Sequence, residues 1–506
     1  MRDVSFLFYL NLLCIFIVRV SYGSDDARRL YYDLLKGRKY NKLIRPVGNS
    51  SDKLTVRMGI RLSQLIDIDE KNQIMTTNVW LRQEWSDIKL KWEPKEYGGV
   101  KRLYVPSQEI WLPDIVLYNN ADGNFVVTLM TKATIHYTGL IIWEPPVIYK
   151  SACIIDVEYF PFDIQSCKMK FGSWTYDGNE IDLVHICSEN QDIAGVLLTN
   201  GINFADFYSN VEWDVLSGTA IKNFKTYPCC PEPYIDVTFE ITMKRKTLFH
   251  TVNLIMPCVA ISFLTVIVFY LPSDSGEKIT LSISILLSLT VFFLLLAEII
   301  PPTSLVIPLL GKYLLFTMTA VTLSILATII TIRIHFHSPS THKMSSSVKY
   351  IFLDLLPRLM FMERPKLESN MTTEHNTNYA NQNAEMDNIR TRLLVLEEEK
   401  SCEGSAESGV EADASLPPQD LDYYKIIGLR NLDRIVDHMK RQDEELSIRE
   451  DWKYVAMVID RMFLIIFTVA SLIGFFGVIA QAPTLYDTRI PVSEFLYNRS
   501  YCAYPS

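Results

Sequence analysis

Hydrophobic and polar positions follow two rhythms along this 506-residue chain. From Leu54 to Lys246, short runs alternate apolar and polar residues between turn signals, as in Leu54–Leu62, Met75–Trp85, Ile135–Trp143, Cys153–Val157 and Tyr234–Met243. A period of two predicts half-buried strands. About two hundred residues of it predict an antiparallel β-sandwich, immunoglobulin-like in layout, with a short helix before it near Ala27–Lys36. Beyond Lys246 the rhythm changes to continuous apolar segments at Val252–Tyr270, Ile279–Ala297, Leu309–Ile332 and Val455–Ala480. Each is long enough to cross a bilayer, and together they predict a transmembrane four-helix bundle.

The second of these segments is not uniformly apolar. Thr280, Ser282, Ser284, Ser288 and Thr290 recur along it, between Glu277-Lys278 and Glu298. At about 100° per residue, Thr280, Ser284, Leu287, Val291, Leu294 and Glu298 share an arc of roughly 80°. Several such stripes around an axis would line a pore with acidic mouths and an apolar waist. A buried helix, whose hydroxyls bond neighbouring helices or their own backbone, would carry the same residues.

Composition agrees with a membrane protein, since 49% of the residues are hydrophobic and the mean hydropathy is +0.12. Residues 1–23 have the basic start, apolar run (Phe6–Val18) and small-residue end of a secretory signal. The mature chain is expected to begin outside the cell. Arg333, Lys343, Lys349 and Arg358 follow the third span and Lys453 and Arg461 lie at the start of the fourth, so the segment between them is expected in the cytoplasm. The domains expected are therefore a sandwich over 24–247, three helices over 248–334, a cytoplasmic loop over 335–451, a fourth helix over 452–480 and an extracellular tail over 481–506.

That loop starts with an apolar–basic stretch, Val348–Met362, and becomes polar and acidic over Lys366–Gln419, a composition that predicts disorder. Tyr424–Trp452 then places Ile427, Ile435, Met439 and Leu446 among charges, as in an amphipathic helix that continues into the fourth span. The net charge of -9 reads as solvation by acidic runs such as Glu397–Glu399. No basic cluster suggests nucleic acid, and no nucleophile motif, phosphate loop or zinc spacing suggests an enzyme, metal or cofactor. Asn49 and Asn498 begin glycosylation acceptors on the side expected outside, whereas the acceptor at Asn370 falls in the cytoplasmic loop.

Cys153 and Cys167 enclose Phe160-Pro161-Phe162-Asp163, and a bridge across that loop would stabilise by about 3 kcal/mol on the chain-entropy account. With a secreted sandwich before it and four spans after it, the spacing resembles that of the Cys-loop receptors, the pentameric ligand-gated channels. Within that family the adjacent cysteines of Tyr227-Pro228-Cys229-Cys230 are similar to those of agonist-binding, α-type nicotinic acetylcholine receptor subunits.

The resemblance implies disulfides Cys153–Cys167 and Cys229–Cys230. It implies a principal agonist face of Tyr118 (after Trp111-Leu112-Pro113-Asp114), Trp174 (in Gly172-Ser173-Trp174), Tyr227, Cys229, Cys230 and Tyr234. Trp80 would belong to the complementary face offered to a neighbouring subunit, with further side chains from Thr131–Trp143. A quaternary ammonium donates no hydrogen bond, so aromatic faces suit it, at about 2 kcal/mol for a desolvated ring. Lys170 and Asp236, and Glu70 and Arg245, match charge pairs expected to couple binding to the pore, with Phe160–Asp163 and the Pro301–Pro308 linker at the same junction.

Gly276-Glu277-Lys278 resembles the cation-selective members, and Asp274 and Glu298 match further acidic rings; the proline–alanine insertion of anion-selective relatives is missing here. Thr280, Ser284, Leu287, Val291, Leu294 and Glu298 would then line the pore, with Leu287 closing it at rest. The loop Cys230–Tyr234 is one residue shorter than in muscle-type α subunits. Cys187 and Cys502 are left over outside; a free or buried thiol is the first expectation for them, and pairing with each other or with a neighbouring subunit is the alternative.

The function so implied is an acetylcholine-gated cation channel subunit. Its expected partners are acetylcholine or a related quaternary ammonium, other nicotinic subunits in a homo- or heteropentamer, the lipid bilayer, and monovalent cations and calcium. The expected location is the postsynaptic plasma membrane, with both chain termini extracellular. An anion channel of the same family, or a binding protein that does not conduct, are the alternatives.

Overall fold

The computed structural model describes residues 25–125, 127–188, 195, 197–228, 230–337, 344–362 and 418–492. The signal region, Cys229, most of the acidic cytoplasmic stretch, Asn370, Cys402, Asn498 and Cys502 lie outside these residues. Those described fall into two compact units, drawn from Met1–Ala260, Leu289–Phe316 and Ile473–Ser506 in one and from Ile261–Ser288 and Thr317–Leu472 in the other.

The first unit opens with helix α1 (Asp25–Tyr32), which buries Leu30. The strands are β1 (Leu54–Asp69), β2 (Ile74–Ser86), β3 (Arg102–Pro106), β4 (Ile115–Leu117), β5 (Lys132–His136), β6 (Leu140–Trp143), β7 (Pro146–Ala152), β8 (Ile164–Ser173), β9 (Ile181–His185), β10 (Leu197–Leu198), β11 (Ile202–Asn203), β12 (Trp213–Tyr227) and β13 (Cys230–Arg245). Eight of them form one sheet, β11-β1-β2-β6-β5-β3 with β7 on β2 and β9 on β1; five form the other, β10-β12-β13-β8-β4.

Alternation makes the sandwich. In β2 every second residue, Met75, Thr77, Val79, Leu81, Gln83 and Trp85, is buried, so one face of each strand meets the core. Val56, Met58 and Ile60 of β1 are buried, as are Met169 and Phe171 of β8 and Val237, Phe239 and Ile241 of β13. Each such side chain contributes about 2 kcal/mol relative to exposure. The Cys153–Cys167 disulfide forms, joining the residue after β7 in one sheet to β8 in the other.

Two expected strands differ. Ile135–Trp143 is a hairpin, β5 and β6, turned at Gly139, whose φ of 84° favours glycine. Cys153–Val157 keeps alternate burial, yet it is not a strand. The ladder of β7 on β2 ends at Ile74↔Ala152 because β2 begins there; the Cys153 amide still donates to the Gln73 carbonyl at 2.9 Å, and beyond it the segment has no strand to pair with.

Among the described residues, four helices are long and apolar enough to cross a membrane: α2 (Leu248–Ile267), α3 (Lys278–Ile299), α4 (Leu309–His335) and the apolar end of a last, longer helix. The 22 residues of α3 give about 33 Å at 1.5 Å each. Helix α5 occupies residues 346–359 in three short pieces. The last helix, α6 (Pro418–Ile479), runs unbroken for 62 residues, so the charged stretch and the fourth span are one helix. Along it Ile435, Met439 and Leu446 are exposed. In the second unit Phe269 stacks on Phe467 of α6 at 5.1 Å, and Ala327 of α4 packs beside them.

Candidate functional site

Four short-range facts about β8 and β13 build an aromatic cluster at one end of the five-stranded sheet. Asp236 of β13 lies opposite Gly172 of β8, and Tyr234 lies opposite Lys225 of β12. The Tyr118 amide donates to the Lys170 carbonyl at 2.8 Å, which brings the end of β4 against β8. A Cβ on Gly172 would sit 2.5 Å from the Tyr118 hydroxyl, so that ring can lie flat against the strand only over glycine.

The result is two ring pairs. Tyr118 and Trp174 are edge to face at 6.3 Å, and Tyr227 and Tyr234 at 5.8 Å. The Tyr118 hydroxyl donates to the Ser173 carbonyl at 2.5 Å. Burial, then the charge of Asp236 and the neighbouring Tyr227, pushes its phenol up to about 12, so it remains a neutral donor at physiological pH.

Asp114 shapes the turn that carries Trp174. It accepts from the Ser173 hydroxyl at 2.5 Å and from the Thr175 amide at 2.8 Å, while its carbonyl accepts from the Trp174 amide at 3.1 Å. Trp174 itself stands 66% exposed. An indole held by its backbone but left bare offers most of its face to solvent rather than to the core. Positive charge already sits over neighbouring faces: Lys170 lies 5.6 Å from the Tyr118 ring centre and Lys225 lies 5.2 Å from that of Tyr227.

Lys170 and Asp236 form an ion pair at 3.0 Å, in which Asp236 is buried and also accepts from Asn223 and Thr238. Trp80 is elsewhere: it is on β2 in the other sheet, half-buried under the Arg61 guanidinium at 5.1 Å. The four rings and Trp80 thus belong to opposite sheets, and within one chain they do not form one pocket. The Cys230 backbone closes the β12–β13 hairpin opposite Tyr227; Cys229 and the Cys230 side chain are outside the described residues.

Eleven residues along β13 from Tyr234, about 36 Å at 3.3 Å per residue, stands Arg245. Its guanidinium is 1% exposed and meets Asp163 at 2.8 and 3.1 Å, Glu70 at 2.6 Å and Glu212 at 3.2 Å. It also lies over the Trp213 ring at 4.2 Å and the Phe160 ring at 5.0 Å. Burial disfavours its charge, but the hydrogen bonds and charges of Asp163 and Glu70 more than offset this and hold it above the usual arginine value. A hydrogen bond from His250, with Arg245 adding to it against burial, holds Glu212 below the usual carboxylate range.

Around this cluster the same unit ties segments together. The Leu309 amide donates to the Glu158 carbonyl at 2.8 Å, Thr484 donates to the Phe162 carbonyl at 2.9 Å, and Lys71 pairs with Glu298 at 2.9 Å.

Helix α3 has a buried face with Lys278, Ser282, Ile285, Leu289 and Leu296. Its other face exposes Glu277, Thr280, Ser284, Leu287, Val291, Leu294 and Glu298. Leu287 and Leu294 are 65% and 68% exposed. Asp274, just before α3, is exposed and lies 3.4 Å from His335.

Sequence reasoning passed over four residues. Phe125 packs on Trp174 at 6.0 Å, a lone loop aromatic with no pattern to mark it. Asp114 was visible within Trp111-Leu112-Pro113-Asp114 but had no partner until the fold brought one. Glu212 reaches Arg245 only across the hairpin base. Asp460, a carboxylate inside the fourth apolar span, carried a plain signal, because an ionisable group in a span needs a reason. The first expectation for Cys187, a free or buried thiol, is overturned: this cysteine is disulfide-bonded.

Comparisons with known proteins agree with this geometry. Residues 27–247 match the family model for the neurotransmitter-gated ion-channel ligand binding domain, and residues 254–479 match that for the neurotransmitter-gated ion-channel transmembrane region. An acetylcholine receptor subunit alpha-like of Manduca sexta is 52% identical, covering 99% of this chain and 98% of its own. An acetylcholine receptor subunit beta-like 2 of Drosophila melanogaster is 51% identical over 97% and 96%. The human neuronal acetylcholine receptor subunit alpha-2 is 48% identical over 90% and 88%.

Proposed function

This chain belongs to the neurotransmitter-gated ion channel family, a family of receptors and not of enzymes, and from that premise we propose that it is an agonist-binding, α-type subunit of an acetylcholine-gated, cation-selective pentamer. The observation that carries the proposal is the exposed Trp174 beside Tyr118, with the Tyr227–Tyr234 pair on the adjoining hairpin. Such faces attract a quaternary ammonium, which water hydrates weakly and which no hydrogen bond can hold. Relatives named alpha-like and beta-like are almost equally identical, so the α-type assignment rests on Cys229-Cys230 and on these rings.

Tyr118, Trp174, Tyr227 and Tyr234 form the principal face, and Trp80 of a neighbouring subunit closes the site from the other sheet. When the hairpin closes over the agonist, the Lys170–Asp236 pair at its root is disturbed. Strand β13 carries the displacement to Arg245, whose contacts with Asp163 and Glu70 join the hairpin to the Cys153–Cys167 loop and to the β1–β2 turn. The loop holds the start of α4 through Glu158, and the turn reaches the end of α3 through Lys71 and Glu298. Helix α3 lines the pore with Thr280, Ser284, Leu287, Val291 and Leu294, and Glu277 sets cation preference at the inner mouth. The receptor spans the membrane; its seat in the postsynaptic plasma membrane, with both termini outside and glycans on Asn49 and Asn498, is part of the proposal.

Expression alone and beside β-type subunits, with current recorded on acetylcholine application, tests this. Inward currents whose reversal follows sodium are expected. Currents that follow chloride would replace the reading with an anion channel. Surface subunits that bind acetylcholine and pass no current in any combination would replace it with a non-conducting binder.

A further inference from the structure

Two neighbouring residues at the start of α3 go opposite ways. Glu277 is exposed, while Lys278 is 1% exposed and its ammonium lies 2.6 Å from a carboxylate oxygen of Asp460 on α6. Ser273, on the turn before α3, reaches the same oxygen at 3.4 Å. The Asp460 side chain is 11% exposed, and all three residues lie within the second unit.

Nothing local favours this position for Lys278. An ammonium taken out of water costs several kcal/mol unless it is paired. Lys278 also opens a 22-residue helix, where unbonded amide groups already concentrate positive charge and a cation is disfavoured. A flexible four-carbon stem lets a lysine move its charge to the nearest water. Here that water bathes Glu277, one residue back. Asp460 supplies the counter-charge that makes the buried position favourable.

We propose that Asp460 is a selectivity-determining residue: by holding the Lys278 ammonium inside the bundle, it keeps positive charge away from the mouth that Glu277 forms. The inference rests on the reading of Glu277 as the inner mouth of a cation pore. In a ring of subunits each Glu277 carboxylate then acts on permeating ions without a lysine beside it. With Asp460 neutral, every Lys278 would turn outward and cancel the Glu277 of its own subunit, so the charge of the mouth would fall from strongly negative to near zero. A pair that served bundle stability alone would affect how many receptors reach the surface, and not which ions they pass.

Acetylcholine-evoked reversal potentials of the full receptor in sodium chloride dilution gradients separate these effects, with an epitope tag counting subunits at the surface. Asp460→Asn should lower the cation-to-anion permeability ratio by about threefold or more. Asp460→Glu, which keeps the charge, should retain most of the wild-type ratio. Lys278→Gln should leave it unchanged, and Lys278→Gln combined with Asp460→Asn should restore it, because no ammonium remains to be released. A wild-type ratio in surface-expressed Asp460→Asn receptors overturns the inference, as does a double variant no better than the single one. If Asp460→Asn subunits fail to reach the surface even beside wild-type copies, the pair is a folding determinant and the inference also falls. Wild-type channels that reverse with chloride would instead overturn the reading of Glu277 itself.

Discussion

Trp174 and Gly172 bring the proposed agonist site down to single atoms. The Trp174 ring is the largest in the cluster, and it is held from behind by Asp114 rather than by its own burial, so its removal should leave the sandwich intact. Trp174→Ala is expected to raise the acetylcholine concentration for half activation by about tenfold or more, since losing about 1.4 kcal/mol is a factor of ten. An unchanged dose–response curve at normal surface expression would take Trp174 out of the site. Gly172→Ala probes the same site indirectly. The added methyl group would meet the Tyr118 ring edge at 2.6 Å, with the Tyr118 hydroxyl as close. It should therefore displace Tyr118 and weaken activation, whereas Tyr118→Phe, which loses only the bond to Ser173, should have the smaller effect.

At the scale of elements, the β12–β13 hairpin and α3 have separable duties. The hairpin has Tyr227 at its tip and Trp213 and Arg245 paired at its base. On its β13 side it pairs with β8, which also carries Cys167. Cys153→Ser should abolish surface assembly, because it removes a cross-sheet constraint of about 3 kcal/mol. Surface binding of a labelled antagonist measures this, and normal binding would show that sheet packing alone suffices. In α3 the exposed Leu287 is proposed as the apolar closure. Leu287→Ser should hydrate that constriction, shifting activation to lower agonist concentration and allowing current without agonist. Ordinary sensitivity in that variant would mean that this face of α3 does not line the pore.

The whole molecule adds a requirement that neither element meets, because Trp80 and the four rings lie on different sheets of one chain. A complete site on this reading takes one face from each of two subunits. Where copies of this chain are adjacent in the pentamer, Trp80→Ala and Trp174→Ala should each impair activation, while their co-expression should recover part of the wild-type sensitivity. Some interfaces would then combine an intact Trp174 from one copy with an intact Trp80 from the other. A current from mixed receptors no more sensitive than either variant alone would argue against a site shared between copies.

The sequence by itself determined the strands of period two, the four apolar spans and the loop between Cys153 and Cys167, because alternation, span length and cysteine spacing are local properties of the chain. It also marked Tyr118, Trp174, Tyr227, Tyr234 and the polar stripe of α3, since motif and helical phase are both readable in one dimension. It did not divide Ile135–Trp143 at Gly139, because apolar residues continue on both sides of the turn. Nor did it show that Cys153–Val157 lacks a ladder partner, as that depends on where β2 begins. Only the tertiary structure brought Phe125 onto Trp174, added Asp163 and Glu212 to the Glu70 already expected beside Arg245, and closed Lys278 against Asp460. Those contacts join residues far apart in the chain. Their strength comes from burial, which raises the cost of an unpaired charge and so selects a partner that no local pattern specifies.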